Sequence, residues 1–117
     1  MTALTITATT TAEAQIFTLA GVLDTDTLGE YHDAIYRALR RSPSPTLVVL
    51  DLSALGFVSA AGGRALHSFA ADLRRTGIDL HLVVDRESFL SRILDLLDAE
   101  QRFVRFSTLE EATTRAD

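Results

Sequence analysis

The chain has 117 residues, no cysteine and a net charge of −5, with 16 acidic residues against 11 basic ones, all arginine. This length predicts a single domain over residues 1–117. The lack of cysteine excludes disulfides and thiol chemistry, and the acidic balance argues against a nucleic-acid partner. No apolar run could span a bilayer and no signal-peptide pattern is visible, which predicts a soluble cytoplasmic protein without direct membrane insertion.

The first half of the chain predicts two strands and a helix. Residues 4–8 alternate apolar and polar side chains, and residues 16–23 form a second, more apolar strand. Thr27 and Glu30 have the spacing of a capping box, and apolar residues then recur at helical spacing to about Arg41. Residues 42–45 contain two prolines and are expected to form a loop that leads into the next strand.

The centre of the chain predicts a buried strand, a loop and a helix. Residues 46–52 are almost continuously apolar, as in a strand that is buried on both faces. A loop is expected over residues 53–59, followed by a helix over Ala60–Arg75. Gly77 stands where the C-terminal cap of that helix belongs.

The last third predicts two more strands and two more helices. These are a strand over residues 78–84, a helix that carries residues 89–97, a strand over residues 103–106 and a short helix over residues 108–114. Ser107 and Glu110 have capping-box spacing before the last helix. The order ββαβαβαβα indicates an α/β fold with a mixed sheet of about five strands and about four helices.

Side chains suited to catalysis or metal binding are few. His32 and His67 fall on predicted helices and His81 lies within a strand, so none has metal-ligand spacing and we interpret all three as surface or structural residues. Asp24 and Asp26 could bind a cation, but without further ligands a turn and cap role is favoured. We therefore expect no enzymatic activity, no metal and no cofactor.

Two glycines at the start of the second predicted helix need a separate explanation. Gly62 and Gly63 are not part of a G-x-G-x-x-G dinucleotide-binding motif, and a P-loop is excluded because the chain has no lysine. We favour close backbone approach, or a strained entry into the helix, over a phosphate cradle. The helix N-terminus just before them would suit a phosphorylated hydroxyl, but from the residues alone we favour the explanation that small side chains let this helix pack against the sheet.

Three segments together resemble the STAS domain, a family that includes the bacterial anti-sigma factor antagonists. The family pattern is approximately G-E-L-D, V-x-L-D-L and F-x-D-S-S-G-L, and this chain has GVLD at 21–24, VVLDL at 48–52 and FVSAAGG at 57–63. The resemblance covers essentially the whole chain. It implies a non-enzymatic protein that docks on an anti-sigma factor, often a serine kinase, and thereby releases a sigma factor.

The resemblance also shows where this chain departs from the family. Ser59, Ala60 and Ala61 occupy the positions of Asp and the two serines, and Ala61 replaces the serine that the kinase phosphorylates. The usual phosphorylation switch therefore cannot operate there, and Ser59 is the nearest alternative acceptor, with a helix-capping role equally available. The implied partner-binding face consists of Asp24, Thr25, Asp26, Thr27, Ser59, Ala60, Ala61, Gly62, Gly63 and Arg64.

Three other possibilities remain open at the level of sequence, one of which is a small-molecule sensor, although no residue pattern supports it directly. The missing acceptor also fits a STAS subunit of a larger assembly, such as a lipid-transport ATPase complex or a stressosome-like scaffold. The third helix has more apolar residues than one buried stripe needs, which would suit a homodimer, although we favour simple burial of that helix. The residues concerned are Phe89, Leu90, Ile93, Leu94, Leu96 and Leu97.

Overall fold

The structure is a computed structural model that describes residues 3–41 and 45–114. The predicted order of elements and the α/β class are confirmed. The elements are β1 (Leu4–Thr10), β2 (Ala14–Leu23), α1 (Leu28–Arg41), β3 (Leu47–Val58), α2 (Ala60–Arg75), β4 (Asp79–Val83), α3 (Phe89–Leu97), β5 (Val104–Phe106) and α4 (Leu109–Thr113). Apart from Pro45, the loop predicted at residues 42–45 lies outside the described residues.

The sheet is mixed and its strands follow chain order. β1 is antiparallel to β2, whereas β2, β3, β4 and β5 are parallel to one another. Parallel neighbours need crossover connections of one hand, which sets α1, α2 and α3 on the same face, where they enclose the main core. α4 covers part of the opposite face through Ala112. The carboxyl ends of β2, β3 and β4 consequently meet at one edge of the sheet.

β3 is longer than its sequence suggests. Residues 53–58 were predicted as a loop, but they continue the strand to Val58, so this prediction was wrong. The pairing with β2 shifts twice, so that β3 contains an extra residue between Asp51 and Ala54 and another between Leu55 and Phe57. Such bulges interrupt the alternation of side chains, which removes the pattern by which a strand is recognised.

The ends of α2 and α4 follow local hydrogen-bonding rules. Gly77 has a φ of +75° and donates its N–H to Arg74, while Ile78 donates to Leu73, which is the Schellman arrangement predicted by the glycine. At α4 the cap is Thr108 rather than Ser107. The predicted capping box was therefore displaced by one residue.

α3 is only partly buried. Leu90 and Leu94 face the core, but Phe89 is 63% exposed and Leu96 is 83% exposed. The preferred explanation, that burial accounts for all the apolar residues of this helix, was wrong for these two. In the part of the chain that the structure describes, no helix combines the length and apolar character needed to cross a membrane.

Candidate protein-binding site

The two segments predicted to form the binding face lie side by side. Leu23 and Val58 are register partners at the ends of β2 and β3. Ser59 donates its N–H to the carbonyl oxygen of Leu23 across a distance of 3.0 Å. The turn after β2 and the first turn of α2 therefore meet at the carboxyl edge of the sheet, where ligand sites of such sheets occur.

The turn between β2 and α1 is fixed by its own side chains. Asp24 Oδ1 accepts the N–H groups of Asp26 at 2.9 Å and of Thr27 at 3.2 Å. The Thr27 hydroxyl donates to the carbonyl of Val22 at 2.9 Å and accepts the N–H of Asp24 at 3.0 Å. Thr27 is buried, and its hydroxyl is engaged by the turn and by the end of β2. The capping box predicted between Thr27 and Glu30 was therefore wrong. Thr25 and Asp26 remain exposed.

The start of α2 is capped by Ser59. Its side-chain oxygen accepts the N–H of Gly62 at 3.1 Å, and its backbone is extended, as an N-cap requires. Ala60 and Arg64 are exposed and Ala61 is partly exposed. The first turn of α2 has no acidic residue. The partial positive charge of its N–H groups is therefore not neutralised by a carboxylate of the same turn.

Gly62 and Gly63 are buried and allow close packing. A Cβ at Gly62 would lie 2.6 Å from the carbonyl oxygen of Leu23, and one at Gly63 would lie 3.0 Å from Cδ1 of Leu97. This confirms the close-approach interpretation. Thr27 and the two glycines therefore form the buried part of the candidate site. Its exposed surface consists of Thr25, Asp26, Ala60 and Arg64.

Phe57 is a residue of this edge that the sequence interpretation did not include in the binding face. It is 43% exposed and lies two residues before Ser59, opposite Val22 in the ladder. The bulge at Gly56 turns it outward, because the strand loses its alternation there. The sequence signal was weak, because residues 53–59 were predicted as a loop and a single apolar residue in a loop does not by itself indicate a binding surface.

Each histidine has a structural contact. His67 Nε2 lies 3.1 Å from the carbonyl oxygen of Leu97, and His81 Nδ1 lies 2.7 Å from that of Ala112. His32 is exposed and stacks on Tyr36. Within residues 3–41 and 45–114, no three His, Asp or Glu side chains are grouped so that they could hold a metal ion.

The ionisable groups with shifted pKa values are Tyr31 and Tyr36, whose rings pack against Phe69 between α1 and α2. Tyr36 donates its hydroxyl to Asp72 at 2.9 Å, and burial together with that carboxylate raises the pKa of Tyr36 to about 12. Burial also raises the pKa of Tyr31, whose hydroxyl makes no hydrogen bond to any described residue. These shifts follow from helix packing and do not indicate an acid or base at the candidate site.

The element order ββαβαβαβα, with a five-stranded mixed sheet and three helices on one face, defines a small α/β domain of the STAS type. The chain belongs to the STAS family, because residues 5–112 match the model of the STAS domain. It is 31% identical over 100 residues to the anti-sigma-F factor antagonist RsfB of Mycobacterium tuberculosis, in both strain CDC 1551 and strain H37Rv. That match covers 85% of this chain and 78% of RsfB.

A solved structure shows the same fold. The crystal structure of an anti-sigma factor antagonist from Mycobacterium paratuberculosis superposes with a TM-score of 0.74, covering 94% of this chain and 91% of the other. The two sequences are 22% identical, so this likeness supports the fold alone. The resemblance inferred from the three sequence segments is thus confirmed at the level of family and fold.

Proposed function

We propose that this protein is a non-enzymatic anti-sigma factor antagonist, which docks on an anti-sigma factor and so releases a sigma factor. The observation that carries the proposal is its relationship to RsfB over 85% of the chain. The contiguity of the turn after β2 with the start of α2 supports it, because one continuous surface results. Ser59 and Leu23 join these two segments directly.

The proposed docking patch consists of exposed and partly exposed residues on both segments. Small side chains at Ala60 and Ala61 permit close approach of a partner backbone, while Asp26 offers a charge for an Arg or Lys of the partner. Phe57 adds an apolar contact of the kind that carries much of the energy in protein interfaces. The patch is defined as Thr25, Asp26, Phe57, Ser59, Ala60, Ala61 and Arg64, supported by Asp24, Thr27, Gly62 and Gly63.

We further propose that docking is not switched by phosphorylation at Ala61, which has no hydroxyl. Ser59 is the alternative acceptor, and its oxygen already accepts the Gly62 N–H. A phosphate on Ser59 would add nearly two negative charges in the middle of the patch. Regulation at Ser59, where it occurs, would therefore act by repelling the partner.

Calorimetric titration with a purified anti-sigma factor tests the proposal. The probes are the anti-sigma-F factor of the mycobacterial relatives and the anti-sigma factors of the host. Ala61→Asp should weaken binding at least about tenfold, because it adds charge and bulk to a closely packed contact. Asp near a helix N-terminus is favourable for folding, so this variant should remain folded.

Ala12→Asp provides a matched control, since Ala12 is exposed at the opposite end of β2 and should leave affinity unchanged. Unchanged affinity of Ala61→Asp would contradict the patch. Absence of binding to every anti-sigma factor would contradict the function itself. In that case the missing hydroxyl at Ala61 favours a subunit of a larger assembly, which co-purification of ATPase or permease subunits from the host would identify.

A further inference from the structure

We propose that the free edge of β1 binds β1 of a second copy of this chain, so that two sheets join into one in an antiparallel homodimer. β1 is the first strand in the order of the sheet and pairs only with β2 among the described residues. This surface differs from the docking patch, and the proposal is independent of the proposed function.

The ladder between β1 and β2 shows which backbone groups face outward. Thr11 donates its N–H to the carbonyl of Ala14 at 2.9 Å, which marks a hydrogen-bonded pair. Such pairs alternate with non-bonded ones along an antiparallel ladder. With the regular register of these strands, residues 5, 7 and 9 therefore bond to β2. The Thr9 carbonyl, which accepts Nε2 of Gln15 on β2, points in the expected direction.

The remaining backbone groups of β1 are available to another strand. Those of Ile6, Ala8 and Thr10 point away from β2 and make no backbone hydrogen bond within the described part of the chain. Natural sheets usually protect such edges with charged residues, proline or bulges. β1 has none of these, since its sequence is LTITATT and its register with β2 is uninterrupted.

β1 is complementary to itself about a twofold axis at Thr7. In that register Thr7 lies opposite its own copy, Thr5 lies opposite Thr9, and the outward groups of Ile6 meet those of Ala8. Cross-strand threonine pairs are stabilising. Because the strand carries no charge, the pairing places no like charges opposite each other.

The side of α1 that faces the β1 edge, called here the outer flank, is suited to contact a second copy of this chain. α1 lies over β1 and β2, and Tyr36 bonds to Asp72 of α2, so the side of α1 opposite Tyr36 faces the β1 edge. Ala34 and Ala38, two residues before and after Tyr36, lie about 200° around the helix from it. Both alanines are partly exposed.

Charges at the two ends of this flank are opposite in sign. Glu30 lies near the start of α1, and Arg37 and Arg41 lie near its end, all of them exposed and without an ion pair among the described residues. The twofold axis sets the two copies of α1 side by side and antiparallel. Glu30 of each copy then faces the arginines of the other, with small alanines between them, which is electrostatic complementarity.

The exposed side chains of α3 fit a symmetric dimer less well. Phe89 and Leu96 share one face of the helix, but Arg92 lies between them and is also exposed. A twofold pairing centred on that face would set Arg92 near its own copy, which is unfavourable. The uncharged β1 edge has no such conflict.

Sedimentation velocity over a range of concentrations tests the proposal. The native chain should dimerise reversibly, and Thr7→Lys and Thr7→Glu should each weaken the dimer about fivefold or more, because like charges then meet at the axis. An equimolar mixture of the two variants should dimerise again as a Lys–Glu heterodimer. Glu30→Arg should weaken the native dimer as well.

Thr18→Lys is the matched control, because Thr18 is the β2 partner of Thr7 and lies one strand inside the edge, so this change should leave the dimer intact. Circular dichroism verifies that each variant is folded. A native chain that stays monomeric up to about 1 mM would overturn the proposal. A dimer that resists both Thr7 changes but is broken by Leu96→Glu would overturn it too, by assigning the contact to α3.

Discussion

Gly62 packs its Cα so closely against the carbonyl oxygen of Leu23 that a Cβ at this position would lie 2.6 Å from that oxygen. The same oxygen accepts the N–H of Ser59. The end of β2 and the first turn of α2 are therefore held together at one atom of the backbone. The distance between the start of α2 and the sheet, and with it the shape of the proposed docking patch, depends on the absence of a side chain at Gly62.

Gly62→Ala and Gly63→Ala should have different effects on stability. In the Gly62→Ala variant the new Cβ meets a backbone oxygen that cannot move, so we expect a loss of about 1–3 kcal/mol in the free energy of unfolding. At Gly63 the nearest atoms belong to the Leu97 side chain, which can shift, and alanine favours the helix by about 1 kcal/mol. Urea denaturation of both variants measures the difference, and equal losses would contradict the close-contact argument.

Ser59 is expected to be a structural cap as well as a surface residue. Ser59→Ala removes the acceptor of the Gly62 N–H and should cost about 1 kcal/mol of stability. Ser59→Asp keeps an acceptor at the cap and adds negative charge, so it should retain stability yet weaken partner binding. Thermal unfolding and calorimetric titration separate the two effects. Loss of stability in the Asp variant would argue against the capping geometry.

The carboxylates of Asp24 and Asp26 are likewise expected to have different roles, one in stability and the other in partner binding. Asp24 accepts two backbone N–H groups of the turn, so Asp24→Ala should lower the free energy of unfolding by about 1 kcal/mol. Asp26 is exposed, and its side chain accepts no hydrogen bond from the turn. Asp26→Ala should therefore leave stability unchanged and slow association with a basic partner surface. Urea denaturation measures the stability of both variants, and stopped-flow binding measures their association rates. A loss of stability in Asp26→Ala but not in Asp24→Ala would contradict this assignment.

Sequence patterns predicted the order of elements because each helix and most strands keep their hydrophobic period. The prediction failed at β3, where two bulges remove the alternation after Leu52, and at Thr27, whose hydroxyl bonds to the preceding strand instead of the helix. Both exceptions depend on contacts between β2 and β3 or at the end of β2, which local spacing does not encode. The exposure of Phe57 follows from one of the same bulges and could not be read from the sequence.

Alkaline titration provides a test of the packing between α1 and α2. The chain has two tyrosines, and the folded state raises the pKa of both, that of Tyr36 to about 12. In the unfolded chain both tyrosines ionise near pH 10. The two protonated tyrosines therefore contribute fully to the stability of the fold below pH 10, and this contribution is lost as the pH rises through their pKa values in the folded state. Ultraviolet absorbance should show little tyrosinate at about pH 11 while circular dichroism reports a folded chain, and Tyr31→Phe and Tyr36→Phe assign the two ionisations. Ionisation of both tyrosines near pH 10 in the folded protein would contradict the burial of Tyr31 and the hydrogen bond from Tyr36 to Asp72.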